Sequence, residues 1–173
     1  MKIEIIQGDI TKEETGAIVN AANPALAGGG GVDGAIHRAA GPELLEACRK
    51  IIAEIGKCPP GEAVITDGFR LKSRYVIHTV GPVWHGGIRG ERELLENCYR
   101  NCMRLAGENG IESVSFPNIS TGVYGFPKQE AARIVGAFFK GLADNDSSSV
   151  KTIRFVCFDR ENYTLYRTEF GYD

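Results

Sequence analysis

Asp33 is the only carboxylate between Glu14 and Glu43, and it follows a run of four glycines, Gly28 to Gly31, and Val32. A run of glycines costs backbone entropy on folding, so a stable domain needs a reason to keep one. Here the reason offered is close approach of a ligand. Successive peptide N–H groups leading into a helix make a site for a phosphate or another anion. If this loop does hydrolytic chemistry, Asp33 is the only candidate base within it. The competing reading makes Asp33 the cap of the helix that follows, and the two roles are compatible. Two asparagines, Asn20 and Asn23, precede the glycines. Asn20 is read as satisfying local backbone at an Asn-Pro turn. Asn23 faces the glycine loop, where an amide can both donate to and accept from sugar hydroxyls. His37 lies four residues beyond Asp33, on the same helical face, and is read as a packing or supporting histidine.

A second group of such residues is Ser120-Thr121-Gly122-Val123-Tyr124, between a strand and a helix. Its N–H groups can wrap a diphosphate, and Tyr124 offers a ring to a sugar or packs on its neighbours. Asp9 can cap a turn or accept from an exocyclic amine such as that of adenine. Phe158 ends a buried strand and serves either the core or as a face for a base.

The elements that must hold these residues alternate between strand and helix. Apolar, β-branched runs at Lys2–Gln7, Ala17–Ala21, Glu62–Thr66, Arg74–Val80, Ser113–Phe116 and Thr152–Phe158 read as strands. Helical spacing marks Val32–Ala40, then Pro42–Ile55 with Leu44, Leu45, Cys48, Ile51, Ile52 and Ile55 inward. It marks Glu91–Ala106 with Leu95, Cys98, Cys102, Leu105 and Ala106 inward. A helix after Pro127 turns Ala131, Ile134, Val135, Phe138 and Leu142 inward, and a short one spans Glu161–Phe170. Asp144 to Ser149 reads as a polar loop. The pattern predicts an α/β domain, its sheet covered on both faces. Ligands of such folds sit beyond the C-terminal ends of the strands. Asp9, the Asn20–Asp33 loop, Ser120–Tyr124 and Phe158-Asp159 are all at such ends and are expected to converge on one cleft. No repeat or linker marks a second domain, so residues 1–173 are read as one.

Several classes are set aside. A net charge of −2 and the lack of a Lys/Arg run argue against general nucleic-acid binding. Five cysteines, an odd number with no C-x-x-C, fit reduced thiols in a cytosolic protein; Cys98 and Cys102 are read as core. No metal is called for by the spacing of His37, His78 and His85, and no cofactor is expected. The N-terminus reads as neither signal nor transit peptide, and no apolar run is long enough to span a membrane. Gly29-Gly30-Gly31-Val32-Asp33-Gly34 matches G-x-G-x-x-G, but the strand ends too far back and the residue about 20 on, Glu54, lies in a helix. No Gly-Lys-Ser/Thr follows to make a P-loop, and Ser120, flanked by Ile119 and Thr121, is not on a G-x-S-x-G elbow.

Taken together, Gly8-Asp9-Ile10-Thr11, Ile18 to Asn23, Gly28 to His37, Val76 to Pro82, Ile119 to Gly125 and Phe155 to Asp159 resemble the macrodomain family. Within it they are most similar to the MacroD-type branch of bacterial O-acetyl-ADP-ribose deacetylases. The resemblance implies a three-layer α/β/α sandwich with a mixed, mostly parallel central sheet, and ADP-ribose as ligand. It implies that Asp9 and Ile10 hold the adenine, which Phe158 faces. Gly31, Val32 and Asp33 line the distal ribose and phosphate, and Asn23 meets the distal ribose hydroxyls. Ser120, Thr121, Gly122, Val123 and Tyr124 cradle the diphosphate. In this branch the aspartate matching Asp33 is the base, and the asparagine matching Asn23 is needed for activity. The implied substrates are O-acetyl-ADP-ribose and proteins mono-ADP-ribosylated on Asp or Glu. The alternative is a reader that binds ADP-ribose and leaves it intact, or a regulatory module, for which no sequence feature speaks. Ser147 to Ser149 and the C-terminal tail match nothing in the family pattern.

Overall fold

The computed structural model describes residues 1–143 and 148–172. Strand β1 (Lys2–Gln7) leads through a single 3-10 turn, Ile10–Lys12, to β2 (Ala17–Ala21). Helices α1 (Gly31–Ala40) and α2 (Pro42–Ile55) follow, then β3 (Ala63–Asp67), β4 (Tyr75–Thr79) and α3 (Glu91–Glu108). The chain closes with β5 (Ser113–Phe116), α4 (Lys128–Ala143), β6 (Thr152–Cys157) and α5 (Arg160–Glu169). Residues 144–147 of the expected polar loop, and Asp173, lie outside the described residues.

The strands form one six-stranded sheet in the order β1-β6-β5-β2-β4-β3. Every neighbouring pair is parallel except β3 and β4. In this register Gln7 stands beside Cys157, Phe116 beside Phe155, and Ala21 beside Thr79. The C-terminal ends of five strands therefore lie along one edge of the sheet, from which the loops carrying Asp9, Asn23, Gly81, Asn118 and Phe158 depart.

Alternation along each strand splits the core in two. Val19, Ile77, Val114 and Phe155 face α3, α4 and α5, packing with Leu95, Cys98, Cys102, Val135, Phe139 and Tyr166. Ile18, Val76 and Val156 face the other way, onto Ile36, Ala40 and Leu44 of α1 and α2. Both faces are covered, which is why these strands read as continuous apolar runs. The sandwich is the three-layer one expected. An aromatic cluster fills the first layer, with Phe155 ring centroids 5.2 Å from Phe139 and 5.8 Å from Phe116.

All five cysteines are buried, unpaired thiols, and burial pushes the Cys98 thiol up to about 11. One position expected inward differs. Ile55, the last residue of α2, is 49% exposed. On α4 it is Phe139 that is wholly buried, with Phe138 half-buried beside it under the Arg100 guanidinium. No helix of the described residues is long and apolar enough to cross a membrane.

Candidate functional site

A cleft of about 790 Å³ opens over the C-terminal ends of the strands. Every sequence-predicted site residue lines it: Asp9, Ile10, Asn23, Gly31, Val32, Asp33, Ser120, Thr121, Gly122, Val123, Tyr124 and Phe158. Four separate stretches of chain converge there because each leaves a parallel strand on the same side. Residues the sequence did not single out also line it, among them Arg38, Gly81, Asn118, Lys128 and Asn162. They come from helices or strand ends whose own patterns carry no chemical signal.

Asp33 is the third residue of α1 and is 6% exposed. It does not cap the helix. The cap position is Gly30, with no side-chain bond, and the Asp33 carboxylate turns instead to the sheet. Asn20 Nδ2 donates to Asp33 Oδ1 at 2.8 Å, and His37 Nε2 lies 3.4 Å from the same oxygen. Among the described residues nothing donates to Oδ2. Burial pushes the carboxyl above the ordinary carboxylate range, while the Asn20 donor and the nearby His37 pull it partly back.

The two asparagines exchange the roles the sequence suggested. Asn20, wholly buried in β2, makes no local backbone contact with its side chain. Its Nδ2 serves Asp33 and, at 3.1 Å, Nδ1 of His78 on the neighbouring strand β4. Asn23 is the one tied to local backbone: its Nδ2 donates to the Gly28 carbonyl at 2.8 Å, and its Oδ1 accepts from Ala27 N–H at 3.0 Å. It thus fixes the shape of the glycine loop while lining the cleft, with its second Nδ2 hydrogen still available.

Behind this layer His78 is wholly buried, and its Nε2 lies 3.0 Å from Thr66 Oγ1 on β3. Desolvation, with His37 nearby, pushes His78 down to about 3, so its ring is neutral. His37 packs its ring on Gly28, where a Cβ would sit 3.6 Å from the imidazole. Gly34 in the first turns of α1 lies so close to the Gly29 carbonyl that a Cβ there would be 2.3 Å from the oxygen. This contact presses the glycine loop against the helix start.

The glycine loop and the first turn of α1 present N–H groups with no helical partner. Opposite them, the 120–125 turn closes on itself through Gly125 N–H to Gly122 O at 3.0 Å and Phe126 N–H to Ser120 O at 2.9 Å. Among the described residues, no group accepts from the N–H of Thr121 through Tyr124. Ser120 holds φ of 67°, a left-handed conformation rare outside glycine and characteristic of sites under constraint. Trp84 N–H donates to the Tyr124 carbonyl at 2.8 Å and braces this turn from behind. The Trp84 loop is itself organised by Glu91, whose carboxylate accepts from the N–H groups of His85, Gly87 and Arg89. Those donors hold Glu91 down to about 2.

At the other end of the cleft, Asp9 Oδ1 accepts from Thr11 N–H and Oγ1, which holds its carboxyl below the usual range. Phe158 is 88% exposed, so it belongs to the cleft and not to the core. The cleft therefore offers an aromatic face and a carboxylate at one end, two arrays of backbone donors in the middle, and a buried carboxylate with one open oxygen at the other. Two cationic side chains line the cleft, Arg38 and Lys128, and Lys128 is engaged by Asp159 at 3.5 Å and Glu161 at 3.1 Å.

Residues 19–135 match the model of the Macro domain family. The chain is 54% identical over 167 residues to the O-acetyl-ADP-ribose deacetylase of Enterobacter cloacae, covering 96% of this chain and 92% of that one. It is 53% identical over 167 residues to a Macro domain-containing protein of Listeria monocytogenes, covering 96% and 95%. Among solved structures, the Oceanobacillus iheyensis macrodomain with ADP superposes at a TM-score of 0.92 with 50% identity, covering 98% of this chain and 90% of that one. The Trypanosoma brucei macrodomain in complex with ADP-ribose does so at 0.87 with 41% identity, covering 96% and 68%. The matched segment contains both the glycine loop and the 120–125 turn, and the chain belongs to the Macro domain family.

Proposed function

We propose that this protein is a hydrolase acting on the distal ribose of ADP-ribose derivatives. It deacetylates O-acetyl-ADP-ribose and removes mono-ADP-ribose from Asp or Glu side chains of proteins. The observation that carries the reading is Asp33: a buried carboxylate, one oxygen anchored by Asn20, the other open to a cleft between two arrays of backbone donors. The deacetylase name of relatives more than half identical over nearly the whole chain supports it.

In this reading Phe158 and Asp9 receive the adenine, Ile10 packs beneath it, and the 120–124 turn with Gly31 and Val32 holds the diphosphate. The second Nδ2 hydrogen of Asn23 meets a distal ribose hydroxyl, and Tyr124 borders that ribose. Asp33 Oδ2 takes a proton from water as the water oxygen attacks the acyl carbon. The backbone donors offset the developing negative charge. The carbon–oxygen bond to the ribose then breaks, and the ribose oxygen recovers the proton from Asp33. The products are ADP-ribose and a carboxylic acid, acetic acid from the acetyl ester or the restored side chain from a protein. Burial suits Asp33 to this task, because a base of raised pKa accepts the proton more readily. The groups named need no metal.

The test is hydrolysis of O-acetyl-ADP-ribose and of an ADP-ribosylated glutamate protein by wild type and Asp33→Ala, with ADP-ribose affinity measured on both. We expect kcat to fall about 10²–10⁴-fold in the variant while binding survives. Tight ADP-ribose binding by wild type with no turnover of either ester would make the protein a reader instead.

A further inference from the structure

We infer that His78 and Thr66 are positioning residues for this site: their buried hydrogen-bond chain dictates which end of the Asn20 amide faces Asp33, and so holds the carboxylate in place. The inference rests on the reading of Asp33 as the base.

The chain is ordered from its inner end. Thr66 Oγ1 lies 3.0 Å from the Asp67 carbonyl, to which only the hydroxyl can donate. Its hydrogen is thereby committed, and its oxygen is left to accept from His78 Nε2 at 3.0 Å. A neutral imidazole carries one hydrogen, so a proton on Nε2 leaves Nδ1 as a lone pair. That lone pair stands 3.1 Å from Asn20 Nδ2, whose two hydrogens then go to His78 Nδ1 and to Asp33 Oδ1. Thr66 fixes the direction of each link against the other polar neighbour of Nε2, the Cys48 thiol, whose contact at 3.8 Å is longer and weaker.

Asn20 itself shows that its nitrogen, not its oxygen, sets the orientation. Asn20 Oδ1 is buried with no partner among the described residues, a cost that a freely turning amide would avoid. Turning it over would set a carbonyl oxygen against both the imidazole lone pair and the carboxylate. With the other tautomer of His78, Nδ1 would become a donor and would favour that turned amide. Asp33 would then lose its 2.8 Å donor and gain a repulsive neighbour. Thr66, two strands from Asn20, thus selects the tautomer that keeps the anchor. Among the described residues no carboxylate hydrogen-bonds to the ring. Its neighbours are the Cys48 thiol at 3.8 Å, which burial keeps protonated with a pKa of about 11, and the His37 ring at 6.5 Å.

Thr66→Val keeps the side-chain shape and removes the acceptor. We expect kcat on O-acetyl-ADP-ribose to fall about 10- to 100-fold, the loss of one hydrogen bond to a charged group, with KM and ADP-ribose affinity unchanged. Thr66→Ser, which retains the hydroxyl, restores the rate. In the wild type, long-range ¹H–¹⁵N spectra of the imidazole should show His78 protonated on Nε2 alone, a measurement that needs no variant to fold. A wild-type kcat in Thr66→Val, equal losses in kcat and binding, or a His78 proton on Nδ1 would each overturn the inference. Asp33→Ala assayed alongside separates the two levels: if it retains full activity, the reading of the base fails and not merely this support for it.

Discussion

At Asp33 two influences oppose each other. Removal from water raises the carboxyl, and the Asn20 donor with the nearby His37 lowers it, with burial the larger. A carboxyl raised in the folded state binds its proton more tightly there than in the unfolded chain. Its contribution to stability is therefore present below the unfolded value of about 3.8 and is lost as pH rises through the folded value. Asp33→Asn removes that buried charge and keeps an acceptor for Asn20. We expect it to raise Tm at pH 7 by about 2–4 °C, the shift made by roughly 1 kcal/mol in a chain of this size, and to lose the gain near pH 4. Thermal melts at the two pH values check both parts. In the wild type the acid limb of kcat should lie above the usual carboxylate range. His78 has the opposite sign: held down to about 3, it adds stability above pH 6.5 that is lost as pH falls toward 3. Asparagine roles were the least legible feature at this scale. Asn20 and Asn23 are three residues apart in the same polar stretch, and only the arrival of His78 on a strand some 58 residues on decides which of them reaches Asp33.

The helix α1 and the glycine loop before it fold as one unit, and Gly34 is their point of closest approach. A glycine inside a helix ordinarily costs about 0.5–1 kcal/mol against alanine, so Gly→Ala there should stabilise. Here the sign reverses, because the added Cβ meets the Gly29 backbone carbonyl, which no side-chain rotation can relieve. Gly34→Ala should cost roughly 1–3 kcal/mol and weaken ADP-ribose binding together with it, as thermal melts and calorimetry would show. Element boundaries were largely readable, since Ala17–Ala21, Pro42–Ile55 and Ser113–Phe116 agree with the structure end to end. Where the reading missed, tertiary packing decided. Periodicity puts Ile55 on the buried face of α2 but cannot show that the last residue of the helix is left exposed. Phe138 packs against the core as periodicity expects, but only the aromatic cluster around Phe155 shows that its neighbour Phe139 is buried more deeply still. Asp33 at a helix start reads as a cap until the strand carrying Asn20 is beside it.

On the scale of the whole molecule, the parallel order of five strands brings Asp9, Asp33, Ser120 and Phe158 to one side, although as many as 149 positions separate Asp9 from Phe158. That convergence was legible, because strand-to-loop junctions of a parallel sheet share an edge. The depth of the polar chain behind it was not, since Thr66 and His78 sit in strands that read as ordinary core. The middle of the cleft presents peptide N–H groups and few free cations, in a chain of net charge −2. Dipoles of this kind act at contact and die away within a few ångströms, so they draw nothing in from a distance. A diphosphate captured this way displaces few counterions. Its Kd should change less than about threefold between 50 and 500 mM salt, and its association rate should scarcely move, in contrast to the steep fall expected of a site built on several Lys and Arg. Titrations and stopped-flow mixing across that range would register it. Nucleic acids and other polyanions would then find no electrostatic hold here, and the cleft would stay open to a small nucleotide that fits it by shape.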